Sequence, residues 1–307
     1  MLQPRDHPLS SGNLLADRRY EWARAALVEG DLAAAAELMT QALELAPNYA
    51  AAWFMLGEVR ERRGEREAAA AAYAKARAAD PDDRHGAAVR IARLGVTPPG
   101  AMPAGYIRAL FDGYAPAFDA ALTEGLDYRA PDLLLRAVRS ARPHMKFGTA
   151  LDLGCGTGLA GAAFRPFCDW LVGVDLSPAM LAQSRAKGFY DRLVEQDTMA
   201  FLAAEAEVGA HYHLIIAADV FVYVHELAPM LAQIARVLAP SGLIAFSVET
   251  HDGDGVILRD TLRYAHGATH ARAALDAGGL KILSLDFAST RTEKSEPVPG
   301  LIVVAEI

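Results

Sequence analysis

A short glycine-rich stretch constrains the fold of this chain more than any other feature. An apolar run at 149–153 leads into Leu-Asp-Leu-Gly-Cys-Gly-Thr-Gly, which ends at Gly158, and a helical pattern follows. Glycine allows a tight turn and a close approach of the backbone to a ligand. The helix beyond the turn presents free N–H groups and the positive end of its dipole, so a carboxylate or phosphate fits there. This order of strand, glycine loop and helix predicts an α/β unit built around a ligand.

The rest of the C-terminal half alternates between apolar and helical segments. Apolar runs that we interpret as strands lie at 149–153, 170–175, 192–196, 212–217, 243–248, 281–285 and 301–307. Helical patterns separate the first six. Continuous apolar strands between amphipathic helices indicate a parallel sheet that is covered on both faces. The segment 289–300 has no helical pattern, which allows the last two strands to be antiparallel.

Two further carboxylates follow predicted strands. Asp175 ends the second strand, where a carboxylate accepts hydrogen bonds from a ribose diol, and Asp197 ends the third, where it can accept from the exocyclic amine of a purine. Ligands of open α/β sheets bind at the carboxyl ends of the strands. These carboxylates and the glycine loop therefore predict one binding edge.

The glycines also match a dinucleotide pattern, G-x-G-x-x-G, from Gly156 to Gly161. Two features favour another ligand. Asp152 lies two residues before Gly154, where its charge would face a pyrophosphate but suits an ammonium group. The chain also ends with a seventh strand, as a methyltransferase sheet does. A ligand with a carboxylate and an ammonium is an amino acid, and S-adenosylmethionine joins one to an adenosine.

The first 96 residues contain an internal repeat. At a shift of 34 residues four small or helix-ending positions coincide: Gly30 with Gly64, Ala35 with Ala69, Ala42 with Ala76, and Pro47 with Pro81. This is the period of the tetratricopeptide repeat, a pair of antiparallel helices. The second copy also carries Trp53-x-x-Leu56-Gly57 and Tyr73. We expect two repeats, with 84–94 as a capping helix.

The segment 97–105 predicts the domain boundary, because three prolines and two glycines in nine residues cannot continue a helix. The sequence thus divides into a repeat domain at 1–96, a linker at 97–105 and a second domain at 106–307. Packing, self-association and recognition of a protein partner all remain open as roles for the repeats.

Composition excludes several classes of protein. With 52% hydrophobic residues the chain can fill a core, and its net charge of -8 argues against nucleic acid as a partner. Two cysteines cannot form a disulfide framework. The N-terminal residues lack the apolar segment of a signal peptide, and no run of about 18 apolar residues predicts a membrane span. We expect a cytoplasmic protein.

Residues 146–307 resemble the class I S-adenosylmethionine-dependent methyltransferases, whose first motif is matched by 152–158. The resemblance implies a Rossmann-like α/β domain with a seven-stranded sheet, here preceded by a small all-α repeat domain. It also implies these cofactor-binding residues: Asp152, Gly154, Cys155, Gly156, Asp175, Leu176, Asp197, Thr198, Ala218 and Tyr114. By resemblance, the three residues at 154–156 line the methionine part, those at 175 and 176 hold ribose and adenine, and those at 197 and 198 lie near the adenine amine. The residues at 218 and 219 border the transferring methyl group.

The resemblance extends to the segment before the sheet. The stretch 111–119 is similar to the helix that covers the site in small-molecule methyltransferases, including those of quinone and biotin pathways. We expect 106–121 to fold over the cofactor, with Tyr114 in contact with it. The stretches 218–223 and 263–266 resemble predicted methyltransferases with N-terminal tetratricopeptide repeats. The chain departs from that subfamily at 224–227, where Val-His-Glu-Leu replaces an expected glycine-aspartate pair.

These features predict transfer of a methyl group from S-adenosylmethionine to a small-molecule acceptor by in-line displacement. Four residues are candidates for a general base near the methyl group: Asp219, Tyr223, His225 and His266. Cys155 is interpreted as a small residue beside the cofactor, and no metal site is expected. The alternatives are a repeat scaffold with a vestigial cofactor domain, methylation of a protein bound by the repeats, and a dinucleotide oxidoreductase.

Overall fold

A computed structural model describes residues 10–123 and 125–307. The chain divides into two compact units, which meet between Leu110 and Phe111. We call the part up to Leu110 the N-terminal unit and the part from Phe111 the C-terminal unit. The division lies inside a helix, Ala104–Tyr114, and not in the Pro- and Gly-rich stretch before it.

The N-terminal unit is helical. Its helices are α1 (Leu14–Glu29), α2 (Leu32–Leu45), α3 (Ala50–Arg62), α4 (Arg66–Ala79), α5 (Ala87–Arg93) and the first part of α6 (Ala104–Tyr114). Gly30 and Gly64 lie in the turns between paired helices with φ of 83° and 75°, where other residues are strained. The predicted helix pairs are confirmed, and α5 lies within the predicted capping segment.

The second helix pair packs through one glycine. A Cβ atom on Gly57 would lie 2.5 Å from Cε1 of Tyr73, whose fully buried ring covers the glycine. Gly57 is therefore required by the ring of Tyr73 and not by a close approach of two backbones. An aromatic side chain of α4 fills the space over α3.

The C-terminal unit alternates helices with strands. It contains the end of α6, α7 (Phe118–Thr123), α8 (Ala130–Ala141), β1 (Phe147–Leu153), α9 (Leu159–Phe164), β2 (Cys168–Asp175), α10 (Pro178–Lys187), β3 (Arg192–Glu195), α11 (Thr198–Glu207), β4 (Tyr212–Ala217), α12 (Leu227–Val237), β5 (Leu238–Glu249), β6 (Val256–Leu258), β7 (Tyr264–His266), α13 (Ala268–Ala277), β8 (Lys281–Phe287), β9 (Thr292–Glu293), β10 (Glu296–Pro297) and β11 (Gly300–Glu306). Short 3-10 turns lie at Ala115–Ala117, Arg165–Phe167 and Phe221–Tyr223.

The main sheet has the order β3-β2-β1-β4-β5-β11-β8, and the small β6 and β7 attach beside β5. β1 to β5 pair in parallel, whereas β11 is antiparallel to both β5 and β8. One face packs against α11, α12 and α13, and the other against α8 and α9. The predicted seven-stranded sheet and its antiparallel end are confirmed. The carboxyl ends of β1, β2, β4 and β5 lie along one edge.

Four short strands were not predicted. β6, β7 and the β9–β10 hairpin are two or three residues long. Such short strands show no recognisable alternation of apolar and polar residues in the sequence. β5 also begins five residues before its predicted start at Leu243.

Candidate active site at the carboxyl edge of the sheet

The glycine loop after β1 is fixed by the neighbouring strand. The Cys155 N–H donates to the Val174 carbonyl at 3.0 Å, and the Gly156 N–H donates to Oδ2 of Asp175 at 2.9 Å. Gly154, Gly156 and Gly158 all have positive φ, at 63°, 54° and 91°. A side chain at any of these positions would be strained, which explains the glycines without reference to a ligand.

Asp175 joins the glycine loop to α10. Its Oδ1 accepts the Ser177 N–H at 2.8 Å, while Oδ2 accepts from Gly156. Burial raises the pKa of this carboxyl, although three backbone N–H groups oppose the shift. Each carboxylate oxygen has two lone pairs, so both oxygens retain an acceptor site after these bonds.

Asp152 lies beneath the loop and is 1% exposed. Its Oδ2 accepts the Tyr190 hydroxyl at 2.6 Å, whereas Oδ1 is buried and has no hydrogen-bond partner among the described residues. Burial raises the pKa of this carboxyl to about 7, the Tyr190 hydrogen bond lowers it, and the charge of Asp175 adds to the increase. Asp152 is thus a buried group with one unused acceptor.

Tyr190 also explains the last glycine of the G-x-G-x-x-G pattern. A Cβ atom on Gly161 would lie 2.3 Å from the Tyr190 hydroxyl oxygen, and one on Gly173 would lie 2.9 Å from its ring. Gly161 is therefore required by an aromatic side chain of this chain. The bond between Tyr190 and Asp152 was not predicted, because no residue pattern near Tyr190 marks it as a partner of Asp152.

The residues expected around adenine lie at the ends of β2 and β3. Asp197 is exposed and caps α11, accepting the Ala200 N–H at 3.0 Å. Leu176 and Thr198 are half-buried. Ala218 follows β4 and is also half-buried. Their contacts with a cofactor remain predictions.

Cys155 is 5% exposed, and burial raises the pKa of its thiol well above the ordinary value. A thiol held in its protonated form is a poor nucleophile. Its sulfur lies 2.9 Å from the position of a Cβ on Gly173, so it fills space between β1 and β2. Cys155 is thus a packing group and not a nucleophile, and its place beside a cofactor stays a prediction.

The segment 111–121 attaches to the site through two aspartates. Oδ1 of Asp112 accepts the Ser177 hydroxyl at 2.5 Å and the Ala179 N–H at 3.3 Å, at the start of α10. Asp119 accepts the Thr157 hydroxyl and pairs with Lys187, each at 2.5 Å. The segment is therefore bonded to both the glycine loop and α10.

One aromatic ring of the same segment lies over the loop. The nearest atom to a Cβ built on Gly156 is Cε1 of Phe118, at 3.9 Å, which is an ordinary van der Waals distance. Phe111 makes edge-to-face contacts with Tyr223 at 5.5 Å and with Phe118 at 6.1 Å between ring centroids. Tyr114 is half-buried on the same helix.

Asp219 follows β4 in a left-handed conformation with φ of 55°. Its N–H donates to the Ser247 hydroxyl oxygen at 2.8 Å, and that hydroxyl donates back to Oδ1 at 2.7 Å. Oδ2 accepts from Thr290 and from Arg291, both at 3.1 Å. Both carboxylate oxygens of Asp219 are thus held by neighbouring side chains. This geometry favours a positioning role for Asp219 over that of a general base.

Tyr223 and His225 have partners of their own. The Tyr223 hydroxyl accepts from Nε of Arg263 at 3.4 Å. Nδ1 of His225 lies 3.1 Å from Glu226, and its ring contacts Tyr264 edge-to-face at 5.1 Å. His225 lies on the loop after β4, and its side chain is 22% exposed, whereas His266 is fully buried.

His266 is 0% exposed in β7. Its Nε2 lies 3.0 Å from the Val224 carbonyl, which can only accept, so this nitrogen carries the proton. Burial lowers the pKa of the ring to about 4, and the neighbouring His270 adds to the effect. Nδ1 has no hydrogen-bond partner within the described residues. His266 is thus neutral at pH 7, with an unused lone pair.

Within residues 10–123 and 125–307, no group of three or more His, Cys, Asp and Glu side chains is arranged to hold a metal ion. The two neighbouring histidines, His266 and His270, stack at 5.8 Å between ring centroids. No helix of the described chain has the length and apolar character needed to cross a membrane.

Two family models match the chain. Residues 151–244 match a methyltransferase domain, and residues 20–84 match a tetratricopeptide repeat. The chain thus carries a methyltransferase domain and tetratricopeptide repeats. The methyltransferase match begins within β1 and ends within β5. It includes the glycine loop, Asp175 and Asp219.

Two curated proteins are similar to parts of the chain. Methyltransferase-like protein 27 of Homo sapiens is 42% identical over 85 residues, or 27% of this chain and 34% of that protein. Malonyl-[acyl-carrier protein] O-methyltransferase of Enterobacter lignolyticus is 28% identical over 176 residues, or 53% of this chain and 66% of that protein. The chain thus spans about one third of the first relative and just under two thirds of the second.

A solved structure of DhpI in complex with SAH has the same fold as the methyltransferase domain. The two superpose with a TM-score of 0.50 at 17% identity, over 66% of this chain and 96% of that one. At this identity the likeness concerns the fold alone.

Proposed function

We propose that this chain transfers a methyl group from S-adenosylmethionine to a small-molecule acceptor. The main support for the proposal is the arrangement of two carboxylates around the glycine loop. The Gly156 N–H is bonded to the Asp175 carboxylate, and Asp152, which is close enough to feel the charge of Asp175, has a buried oxygen without a partner among the described residues. A ligand that brings a ribose diol and an ammonium group matches these two acceptors, whereas the pyrophosphate of a dinucleotide would meet two negative charges.

The residues present fit this cofactor. Asp175 retains an acceptor site on each oxygen for the ribose, and Asp152 has a buried one for the ammonium. Gly156 has no side chain, so its Cα can approach a ligand closely on the side of the loop that Phe118 covers. Leu176, with the pair Asp197 and Thr198, would border the adenine. The bound cofactor supplies an electrophilic methyl group on a positively charged sulfur.

The protein's own contribution is mainly orientation and exclusion of water. The segment 111–121 is bonded to the glycine loop and to α10, and its Phe118 ring lies over Gly156. Aligning two reactants can lower a barrier by about 7–11 kcal/mol. Loss of the sulfonium charge during transfer also favours a dry site. No general base is then compulsory.

If the acceptor loses a proton, His225 is the candidate base that combines partial exposure with a place on the loop after β4. His266 is neutral and has an unused Nδ1 within the described residues, but it is fully buried and its pKa of about 4 makes it the weaker base. A positioned base contributes about 10²–10⁴-fold to a rate. Tyr223 receives a hydrogen bond from Arg263, and Asp219 is held by Arg291.

The repeats raise a second candidate, methylation of a protein that they recruit. The tetratricopeptide match at 20–84 supports it, since such repeats commonly present an extended binding surface. Self-association and packing are the alternatives for this unit.

One labelling experiment separates the two acceptor classes. The protein is incubated with S-adenosylmethionine carrying a deuterated methyl group and with a cell extract divided by ultrafiltration into small molecules and proteins. We expect label in the small-molecule fraction only, and much less of it with the Asp175→Ala variant at a cofactor concentration near the wild-type Kd. Label in proteins alone would replace the small-molecule proposal by recruitment. Absence of label in both fractions, together with no cofactor binding, would refute transfer.

A further inference from the structure

Six charged residues form one cluster beside the loop after β4. We call it the ion cluster, and its members are Asp219, Glu249, Arg259, Arg263, Arg291 and Glu293. Three guanidinium groups face three carboxylates, so the charges balance. Arg291, which is 2% exposed as a residue, contacts all three acids, with Asp219 and Glu293 at 3.1 and 3.2 Å.

Two of the acids are fixed by the sheet. Glu249 ends β5 and its side chain is 4% exposed between Arg259 and Arg291. Asp219 follows β4 and is held by Ser247 and Thr290 as well as by Arg291. Neither carboxylate can leave without breaking several bonds.

Glu293 is held differently. It lies in the β9–β10 hairpin, which pairs with itself and is not a strand of the main sheet. Its side chain is 31% exposed, and its Oε1 accepts from Arg263 at 2.6 Å and from Nε and Nη2 of Arg291 at 3.2 Å. The turn of the hairpin, Lys294 and Ser295, is exposed. Burial opposes ionisation of Glu293, but the two arginines outweigh it and keep its pKa below the ordinary value.

The ion cluster adjoins the region where the methyl group would be transferred. Asp219 follows Ala218 directly, and Arg263 donates to the Tyr223 hydroxyl at 3.4 Å. The Tyr223 ring in turn contacts Phe111, which belongs to the segment 111–121 described above. The side chains of Arg259 and Arg263 are 28% and 22% exposed, so solvent reaches this side of the cluster.

We propose that Glu293 occupies the binding position of a carboxylate carried by the methyl acceptor, and that the acceptor displaces it from Arg263 and Arg291. This inference rests on the proposed function, whose acceptor class it narrows to carboxylate-bearing small molecules. The exchange of one carboxylate for another keeps the cluster neutral. Without either carboxylate, three guanidinium groups would face two acids, and a partly buried guanidinium would lack its counter-charge.

The test measures carboxylate binding to the full-length protein by ligand-observed NMR titration. The probe is benzoate, whose ring suits Tyr223 and Phe111, and benzamide is its uncharged counterpart. We expect Glu293→Gln to bind benzoate at least about 10-fold more tightly than the wild type, with no change for benzamide. Glu296→Gln, an exposed residue of the same hairpin, should behave as the wild type.

Adding Arg263→Gln to Glu293→Gln should return benzoate affinity to about the wild-type value. Glu293→Asp keeps the charge but shortens its reach, so it should also bind benzoate more tightly, and it decides the matter if Glu293→Gln does not fold. Equal benzoate affinity in the wild type and both Glu293 variants would overturn the inference. So would equal gains for benzoate and benzamide.

The titration needs neither cofactor nor turnover. Failure of the proposed function would appear separately, as absence of S-adenosylhomocysteine binding in a calorimetric titration. A protein that binds this cofactor product but shows no Glu293 effect on benzoate would keep the proposed function and lose the inference.

Discussion

Asp152 combines near-complete burial, one hydrogen bond from Tyr190 and one unused oxygen. Its pKa in the folded protein is about 7, against an ordinary value of 3.8. In the unfolded chain the carboxyl loses its proton near pH 4, whereas in the folded protein it keeps the proton up to about pH 7. Between these values the folded state holds more protons, so this group makes stability fall as pH rises.

We therefore expect Asp152→Asn to stabilise the protein at pH 8 relative to pH 5. The difference in free energy of unfolding between variant and wild type should grow by about 2.7 kcal/mol, at 1.36 kcal/mol per pH unit, because the effect acts from pH 5 up to the folded pKa of about 7 and then levels off. Urea unfolding at the two pH values measures it. A difference that does not change with pH would mean that Asp152 is already ionised at pH 5.

The same group should couple cofactor binding to pH. An ammonium group beside Oδ1 favours the ionised carboxylate, so affinity for S-adenosylhomocysteine should rise between pH 6 and 8. Calorimetry in buffers of different ionisation enthalpy should detect proton release. Asp152→Asn should abolish that release, and the opposite trend with pH would remove Asp152 from the ammonium position.

Asp175 gives a second test at the residue scale. Asp175→Ala should weaken S-adenosylhomocysteine binding by about 1.5–3 kcal/mol, because charge-assisted hydrogen bonds are lost. Asp197→Ala, which removes an exposed helix cap that accepts from Ala200, is the matched control and should have the smaller effect. Unchanged affinity in Asp175→Ala, measured by calorimetry, would contradict the ribose assignment.

The sequence predicted where Asp152 and Asp175 lie because each is adjacent to a recognisable strand. It did not predict their partners. Tyr190 bonds to Asp152 across 38 residues of sequence, and Arg291 bonds to Asp219 across 72. Long-range contacts of this kind depend on how the sheet brings loops together, and no local pattern marks them.

At the scale of an element, we expect the segment 111–121 to cover the bound cofactor. Residues 111–121 carry few backbone bonds to the sheet, and their attachment depends on Asp112 and Asp119. We expect hydrogen exchange there to slow when S-adenosylhomocysteine binds, together with exchange at 154–158. Asp119→Asn should reduce the protection of this segment. Asp132→Asn, on α8, is the control.

Protection confined to the glycine loop would show that the segment is ordinary core packing. Tyr114 would then leave the set of cofactor-binding candidates. The sequence pointed to the aromatic residues of this segment, whereas the structure attaches it through its two aspartates. An aspartate in a helical pattern gives no sign of the loop it will bond to.

Among the strands, length decided what could be predicted. The long apolar runs gave β1 to β5, β8 and β11 with errors of a few residues at their ends. The β9–β10 hairpin, which carries Glu293, has two-residue strands, and an apolar or alternating pattern needs more residues than that. The sequence therefore did not indicate that Glu293, the acid that we propose to be exchangeable, belongs to the ion cluster.

At the scale of the whole molecule, the two compact units predict separable folding. A fragment of residues 103–307 keeps all of α6, including Asp112, and should bind S-adenosylhomocysteine with wild-type affinity within a factor of about 3. Calorimetry and circular dichroism on the purified fragment measure this. An insoluble fragment, or one that folds without binding, would mean that the repeats form part of the methyltransferase unit.

The central claim is that the glycine loop and its carboxylates form a working S-adenosylmethionine site. The most direct test is a calorimetric titration of the full-length protein with S-adenosylhomocysteine and, separately, with NAD. We expect micromolar binding of S-adenosylhomocysteine and no heat of binding with NAD. No binding of S-adenosylhomocysteine, or binding of NAD in its place, would contradict the claim.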